Sequence, residues 1–232
     1  MLRDLAAATA ALLVTAGALD DAAVAQPSRL PGWTRGHVLT HLARNAEGGT
    51  RLLRGARTGE PAYEYESLAA RSAAIEAGAN RPAAVLAADV RATAGALAAE
   101  ADTMPPDAWE RTVRWTAGQQ TPATMVASSR LAEVLIHHVD LDFGYQPAAW
   151  PPGFVTCLLP RLARDLAART PPAPAARLVA TGTGWDFAIG DTPAVTVHGP
   201  AAELLGWLLG RSPGDGLARD PAGPLPAVPA VY

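Results

Sequence analysis

Cysteine is almost missing from this chain. Cys157 is the only one in 232 residues, so no intrachain disulfide can form and a Cys-rich zinc module is excluded. A reducing compartment suits such a chain, and a cytoplasmic location is expected. Charge of one sign is scarce too. There are 19 Lys+Arg against 22 Asp+Glu, a formal net charge of −3, and the isoelectric point is near 5.9. No basic block stands out, so neither nucleic acid nor a membrane surface is an expected partner. No apolar run reaches the ~20 residues of a membrane span. The stretch Ala6 to Leu19 is apolar, and Ala23-Val24-Ala25 imitates a small-residue cleavage site. However, Asp4 offsets Arg3, and Asp20-Asp21 sit where a secretory signal would be neutral. Leu5, Leu12, Leu13 and Leu19 follow helical spacing, and the stretch reads as the first helix of the fold.

What the chain does have is length for a sizeable core, 49% hydrophobic residues (many of them alanine), and 21 Gly and 21 Pro to punctuate its loops. Its most informative stretch is Ser128-Ser129-Arg130-Leu131-Ala132-Glu133-Val134-Leu135-Ile136-His137-His138-Val139-Asp140. Residues four apart stack on one face of a helix. Glu133 therefore lies below His137, with Arg130 and Asp140 close to the same line, on a segment otherwise made of Leu131, Val134, Leu135, Ile136 and Val139. A carboxylate and an imidazole stacked this way are either a buried ion pair or half of a metal site. A further ligand from elsewhere decides between them.

A second helix offers one. Gln26 to Trp33 is a loop broken by Pro27, Pro31 and Gly32, and Thr34 is placed as an N-cap. The helix after it carries Val38, Leu42, Ala46, Gly49 and Leu53 on one face. His41 and Asn45 fall on the shoulder of that face, whereas His37 turns toward Arg44 and Arg51 and reads as solvated or capping. On this helix alone, a hydrogen-bonded core histidine is the plainer reading of His41.

The remaining chain reads as follows. Gly55 and Gly59 end the second helix. Tyr63-Glu64-Tyr65-Glu66 opens a connection whose aromatics cover the core or line a pocket wall. Ser67 to Gly78 and Pro82 to Thr103 are Ala-rich helical runs, Trp109 to Trp115 is an extended segment, and Gly118 to Pro122 leads into the Glu133 helix. Gly144 to Gly153 marks a boundary. Phe154 to Arg169 is amphipathic and holds Cys157, and Pro171-Pro172-Ala173-Pro174 is a stiff linker. The period then changes. Arg177 to Thr181, Trp185 to Ile189 and Ala194 to His198 read as strands, and Ala201 to Leu209 as a helix ended by Gly210. An α+β protein is expected, with a four-helix bundle over 1–148 and a small α/β domain of three strands and flanking helices over 149–232. A bundle of this kind builds metal sites from side chains on facing helices. A catalytic zinc typically takes three ligands from His and Asp/Glu and keeps one position open. His41, Glu133 and His137 would make such a set, with the carboxylate as ligand, unlike the His-Glu-x-x-His arrangement in which it is the base.

At this point the residues resemble a known family. Leu30-Pro31-Gly32-Trp33-Thr34, followed by Gly36-His37-Val38-Leu39-Thr40-His41-Leu42-Ala43-Arg44-Asn45-Ala46, is similar to the metal-helix motif of mycothiol-dependent maleylpyruvate isomerases. Glu133-Val134-x-x-His137-His138-Val139-Asp140-Leu141 resembles their second motif, and Gly206-Trp207-Leu208-Leu209-Gly210-Arg211 their C-terminal one. The resemblance runs in order along nearly the whole chain. It implies a DinB-like bundle and a C-terminal α/β unit, and a metal triad of His41, Glu133 and His137 holding Zn2+ or another divalent ion. It also implies mycothiol as cofactor and Arg211 as the functional arginine of the second domain. Arg211 has a plainer reading as well, as a helix C-terminal cation answering the macrodipole. Asp140 and Asn45 are expected to orient ligands from behind, His138 either to stand behind the ligands or to be structural, and His198 and Cys157 to be structural.

The implied chemistry is a cis–trans isomerisation. A thiolate adds to the enone of maleylpyruvate, the former double bond turns, and elimination leaves fumarylpyruvate. The substrate's carboxylates need a cation, for which Arg211 is the candidate because its fork matches a carboxylate. Three other functions suit the same residues: a mycothiol S-transferase that stops after addition, a hydrolase using metal-bound water, and a non-catalytic metal-stabilised binding protein. The expected partners are a small thiol and a small dicarboxylate enone, in a monomer or small homo-oligomer.

Overall fold

The computed structural model describes residues 1–169 and 173–228. Pro171 and Pro172 of the expected linker lie outside the described residues. The chain divides into two compact units, Met1–Gly144 and Tyr145–Tyr232.

The first unit is helical. Its elements are α1 (Leu2–Ala18), the short α2 (Asp21–Val24), α3 (Arg35–Thr58), α4 (Leu68–Gly78), α5 (Ala83–Asp102) and α6 (Thr124–Asp140). Four of these form the bundle: α1 packs on α5 and α6, and α3 packs on the same two. Leu12 of α1, Leu39 and Leu42 of α3, Leu86 and Val90 of α5, and Leu135 and Val139 of α6 are all buried. Each such side chain contributes about 1.5–3 kcal/mol by leaving water. The apolar stretch at the N-terminus thus spends its Leu12 and Ala16 on the core.

Local chemistry sets the helix ends. Thr34 caps α3 through a reciprocal box. Its hydroxyl accepts from the His37 backbone N–H, and the His37 ring takes the Thr34 backbone N–H. Gly59, at φ 79°, ends the helix in the left-handed region that glycine occupies without strain. Ser67 caps α4 by accepting from Ala70 N–H.

Two glycines control how α4 lies on α3. A Cβ on Gly36 would stand 2.1 Å from the Ala79 carbonyl oxygen, and one on Gly78 would stand 2.5 Å from the Thr40 methyl. Only bare backbone at Gly36 and Gly78 lets the C-terminal end of the short helix approach the start of α3 so closely.

Between α5 and α6 the extended segment expected over Trp109 to Trp115 is only partly a strand. A 3-10 turn, Pro106–Glu110, comes first, then β1 (Thr112–Arg114), which pairs antiparallel with β2 (Gln120–Pro122). Proline at the start of the turn favours the tight helical conformation over an extended one. β2 is too short and too polar to show a period of two. Val113, with Trp109 and Trp115 beside it, packs on Leu52 and Leu53 of α3.

The second unit contains α7 (Pro152–Ala167), β3 (Ala176–Ala180), β4 (Trp185–Ile189), β5 (Thr196–Gly199), α8 (Ala201–Leu208) and β6 (Ala218–Asp220). The sheet order is β4-β3-β5-β6, with β3 and β5 parallel and the other pairs antiparallel. The three strands read from the sequence are therefore joined by a fourth. Ala218-Arg219-Asp220 is an edge strand of three residues without an apolar alternation, so its pairing with β5 leaves no mark on the pattern. α7 and α8 pack together, α7 against β4 and α8 against β3 and β5. Leu166, Leu178, Val197, Leu204 and Leu205 are buried there. A helical first part and an α/β second part make the α+β class that the change of sequence period predicts. Among the described residues no helix is long and apolar enough to cross a membrane.

Candidate metal centre

Two helices of the first unit present the chemistry-bearing side chains. His41 projects from the second turn of α3, and Glu133 and His137 stand one turn apart on α6. The Nε2 of His41 is 2.7 Å from Glu133 Oε2, and the Nε2 of His137 is 3.3 Å from the same oxygen. The two imidazole rings meet edge to face, with centroids 4.6 Å apart. One ligand atom from each of the three residues lies within 4.8 Å of the others, and this is the one such cluster among the described residues.

The surroundings are built as carefully as the cluster. The second nitrogen of His137 donates to Asp140 Oδ2 at 2.8 Å, and Asp140 is fully buried. The Trp33 ring packs on His41 at 5.7 Å, shielding its outer face. Arg130, one turn before Glu133, is buried, and its Nη1 donates to the Leu42 carbonyl and to Asn45 Oδ1, both at 2.8 Å. Asn45 thus acts on Arg130 rather than on an imidazole. The other His41 nitrogen, Nδ1, is 3.0 Å from Nη2 of Arg71 on α4.

These contacts set the charges. Burial pushes the His41 imidazole down to about 4, against the pull of Glu133, so it is neutral at pH 7. Burial also opposes a charge on His137, but its hydrogen bonds to Asp140 and Glu133 outweigh that and raise it to about 9. Burial alone would raise the Glu133 carboxyl; hydrogen bonds from His137 and His41 reverse the effect and hold it well below the usual carboxylate range.

The donor set fits a divalent cation. Two imidazole nitrogens and a carboxylate oxygen are ligand types that zinc accepts, and ~2.0–2.2 Å bonds to one ion span separations of this size. A carboxylate behind a ligand histidine, as Asp140 stands behind His137, fixes the ring and its tautomer.

The other residues singled out in the sequence fall elsewhere. His37 is capping rather than solvated: it is buried, completes the Thr34 box and reaches Glu76 at 3.3 Å. His138 points off the opposite side of α6 to the Thr15 hydroxyl at 2.7 Å. Cys157 is exposed on α7, and His198 lies on β5. Arg211 belongs to the second unit, follows Gly210 at φ 73°, is buried, and donates from Nη1 to the Leu209 carbonyl at 2.8 Å. That contact answers the carbonyl end of α8, as the plainer reading of Arg211 expects.

Two further residues stand beside the cluster. Arg71 carries no sequence signal, because on an Ala-rich helix an arginine looks solvent-facing, and Tyr65 is one of the aromatics that the sequence reads as core cover or pocket wall. Both line a cleft of about 930 Å3 in the first unit, together with Arg44, Arg51 and Arg54.

Comparison with known proteins identifies the family. The model of the mycothiol maleylpyruvate isomerase N-terminal domain matches residues 5–142, and that of the MDMPI C-terminal domain matches residues 146–230. A crystal structure of the mycothiol-dependent maleylpyruvate isomerase superposes with a TM-score of 0.91 at 25% identity, covering 99% of this chain and 95% of that one. A histidine-to-alanine mutant of that enzyme superposes with a TM-score of 0.91 at 24% identity and the same coverage. No curated protein sequence matches the chain significantly. Matched across both units, and carrying the two-helix cluster of His41, Glu133 and His137, the chain belongs to the mycothiol maleylpyruvate isomerase family.

Proposed function

We propose that the protein isomerises maleylpyruvate to fumarylpyruvate with mycothiol, in the cytoplasm, around a zinc ion held by His41, Glu133 and His137. The observation that carries the reading is the cluster itself: three donors of zinc-accepted type, on facing helices, with Asp140 behind one of them. A divalent ion held by these three residues would supply the Lewis acidity that favours the thiolate form of a thiol at neutral pH.

The chain's own groups do the rest. His41 offers a neutral nitrogen, because burial disfavours its protonated form. Asp140 takes the Nδ1 proton of His137, so that Nε2 is the nitrogen facing the cluster and the one that gives up its proton when a cation binds. Arg130, buried within range of the Glu133 charge, favours the ionised carboxylate. Trp33 keeps water off His41. Arg211 is assigned to a substrate carboxylate, which its planar fork matches bidentately. No side-chain nucleophile is needed, which suits a chain whose single cysteine is exposed on α7.

The test is metal analysis of the purified protein together with a maleylpyruvate assay with and without thiol. One zinc per chain and loss of the cis-enone absorbance with full recovery of free thiol is the expected result. Stoichiometric consumption of thiol would instead mean an S-transferase, and a metal-containing protein with no thiol-dependent reaction would mean a binding protein.

A further inference from the structure

Arg71 is where the metal cluster and the cleft meet. Its Nη2 reaches His41 Nδ1 at 3.0 Å, its guanidinium lies over the Tyr65 ring at 5.9 Å, and it lines the cleft. The other cleft arginines are already engaged. Arg44 pairs with Asp89 at 2.6 Å and with Glu47, Arg54 pairs with Glu100, and Arg51 is tied to the Tyr63 and Glu64 carbonyls. Arg71 faces an imidazole and pairs with no carboxylate among the described residues. Beside it the Tyr65 hydroxyl is buried and donates to no acceptor among the described residues. A buried donor left without an acceptor costs about 1–3 kcal/mol. Two donors thus stand together on a cleft wall, and both lack an anion.

The His41 contact adds a constraint. A guanidinium has only donors, so His41 Nδ1 must accept from Arg71, and the ring proton is on Nε2, where it is donated to Glu133. An imidazole that ligates a cation through Nε2 carries its proton on Nδ1, which then points a donor at a donor. If Nδ1 is the ligating atom instead, the guanidinium occupies the ligand position. Either way, His41 cannot serve Arg71 and a cation together.

We propose that Arg71, with the Tyr65 hydroxyl beside it, is a carboxylate-binding site for the substrate, and that a cation on His41 frees Arg71 for that role. The metal would then do two things with one ligand: complete the cluster and release a guanidinium into the cleft. Substrate carboxylate and cation would favour each other's binding by linkage, because both oppose the Arg71–His41 contact. Identifying the carboxylate as the substrate's rests on the isomerase reading above; the existence of the site does not.

The experiment uses full-length protein, zinc and maleate, a small cis-dicarboxylate, in the absence of thiol. Zinc-loaded wild type should bind maleate more tightly than chelator-treated wild type. Arg71→Met should keep one zinc per chain, with affinity equal to wild type or a fewfold tighter, and weaken maleate by about tenfold or more. Arg71→Lys should fall between, and Tyr65→Phe should lose a smaller factor. In chelator-treated protein, nitrogen NMR should find the His41 proton on Nε2, moving to Nδ1 with zinc if Nε2 ligates. Unaltered maleate binding in Arg71→Met, or loss of zinc from that variant, overturns the proposal, as does maleate binding indifferent to zinc. Arg71-dependent maleate binding in a protein without isomerase activity would leave the site standing and remove the isomerase reading. Isomerase activity with Arg71-independent maleate binding would do the reverse.

Discussion

Asp140 stands three residues beyond His137 on the same helix and takes the ring's Nδ1–H at 2.8 Å while wholly buried. The i,i+3 step puts it beneath the imidazole, so its carboxylate reaches only the nitrogen that faces away from Glu133. One helix therefore carries a candidate ligand, the histidine that shares its ion, and the group that aims this histidine.

Replacing Asp140 with asparagine keeps the volume and removes the charge. Zinc affinity in Asp140→Asn is expected to drop by about tenfold or more, in the range usual for groups behind a ligand histidine. A competition titration against a chromophoric chelator reads this directly, and equal affinities would show that Asp140 serves packing alone.

Protons should leave when the ion enters. At pH 7, His137, raised to about 9, carries an extra proton, whereas His41, lowered to about 4, does not. Zinc uptake should then release about one proton per site, seen as a dependence of calorimetric heat on the buffer's ionisation enthalpy. Before zinc is added, the raised His137 contributes stability that is complete below its unfolded value of 6.5 and disappears as pH climbs through about 9. Chelator-treated protein should melt at a lower temperature at pH 9.5 than at pH 6.5, and zinc should reverse the trend.

His41→Ala and His37→Ala separate ligand from cap. The first should abolish stoichiometric zinc and activity. The second should keep both and lose roughly 0.5–2 kcal/mol of stability with its part in the Thr34 box. Equal loss of metal in the two variants would remove His41 from the cluster.

Arg211→Ala tests the arginine of the second unit. Zinc content should stay at one per chain while kcat/KM for maleylpyruvate falls by about tenfold or more. Some thermal stability should go as well, since Nη1 no longer serves the Leu209 carbonyl. Unchanged kinetics with a lowered melting temperature would leave Arg211 as a helix-end cation only.

What the sequence discloses and what it hides divide along a physical line. The Glu133–His137 pair is readable because four-residue spacing on one helix is a covalent fact. His41 is readable over His37 because the apolar stripe of α3 says which side faces the core, and Thr34 says where the helix starts. Nothing comparable announces Arg71. Its contact with His41 depends on where α4 lies, and that depends on the close approaches at Gly36 and Gly78, which are tertiary. The same holds for β6, whose three residues become a strand only because β5 offers them an edge. A residue's own helix can be read from periodicity; its neighbour across a seam cannot.

That seam has a dynamic consequence. α4 has eleven residues, of which Ile75 alone is buried, so little water-shy surface fastens it. It should exchange its amide hydrogens sooner than the long helices around it. The guanidinium on His41 is thus held by a lightly anchored helix, and the breathing of one short segment sets the rhythm at which the centre opens.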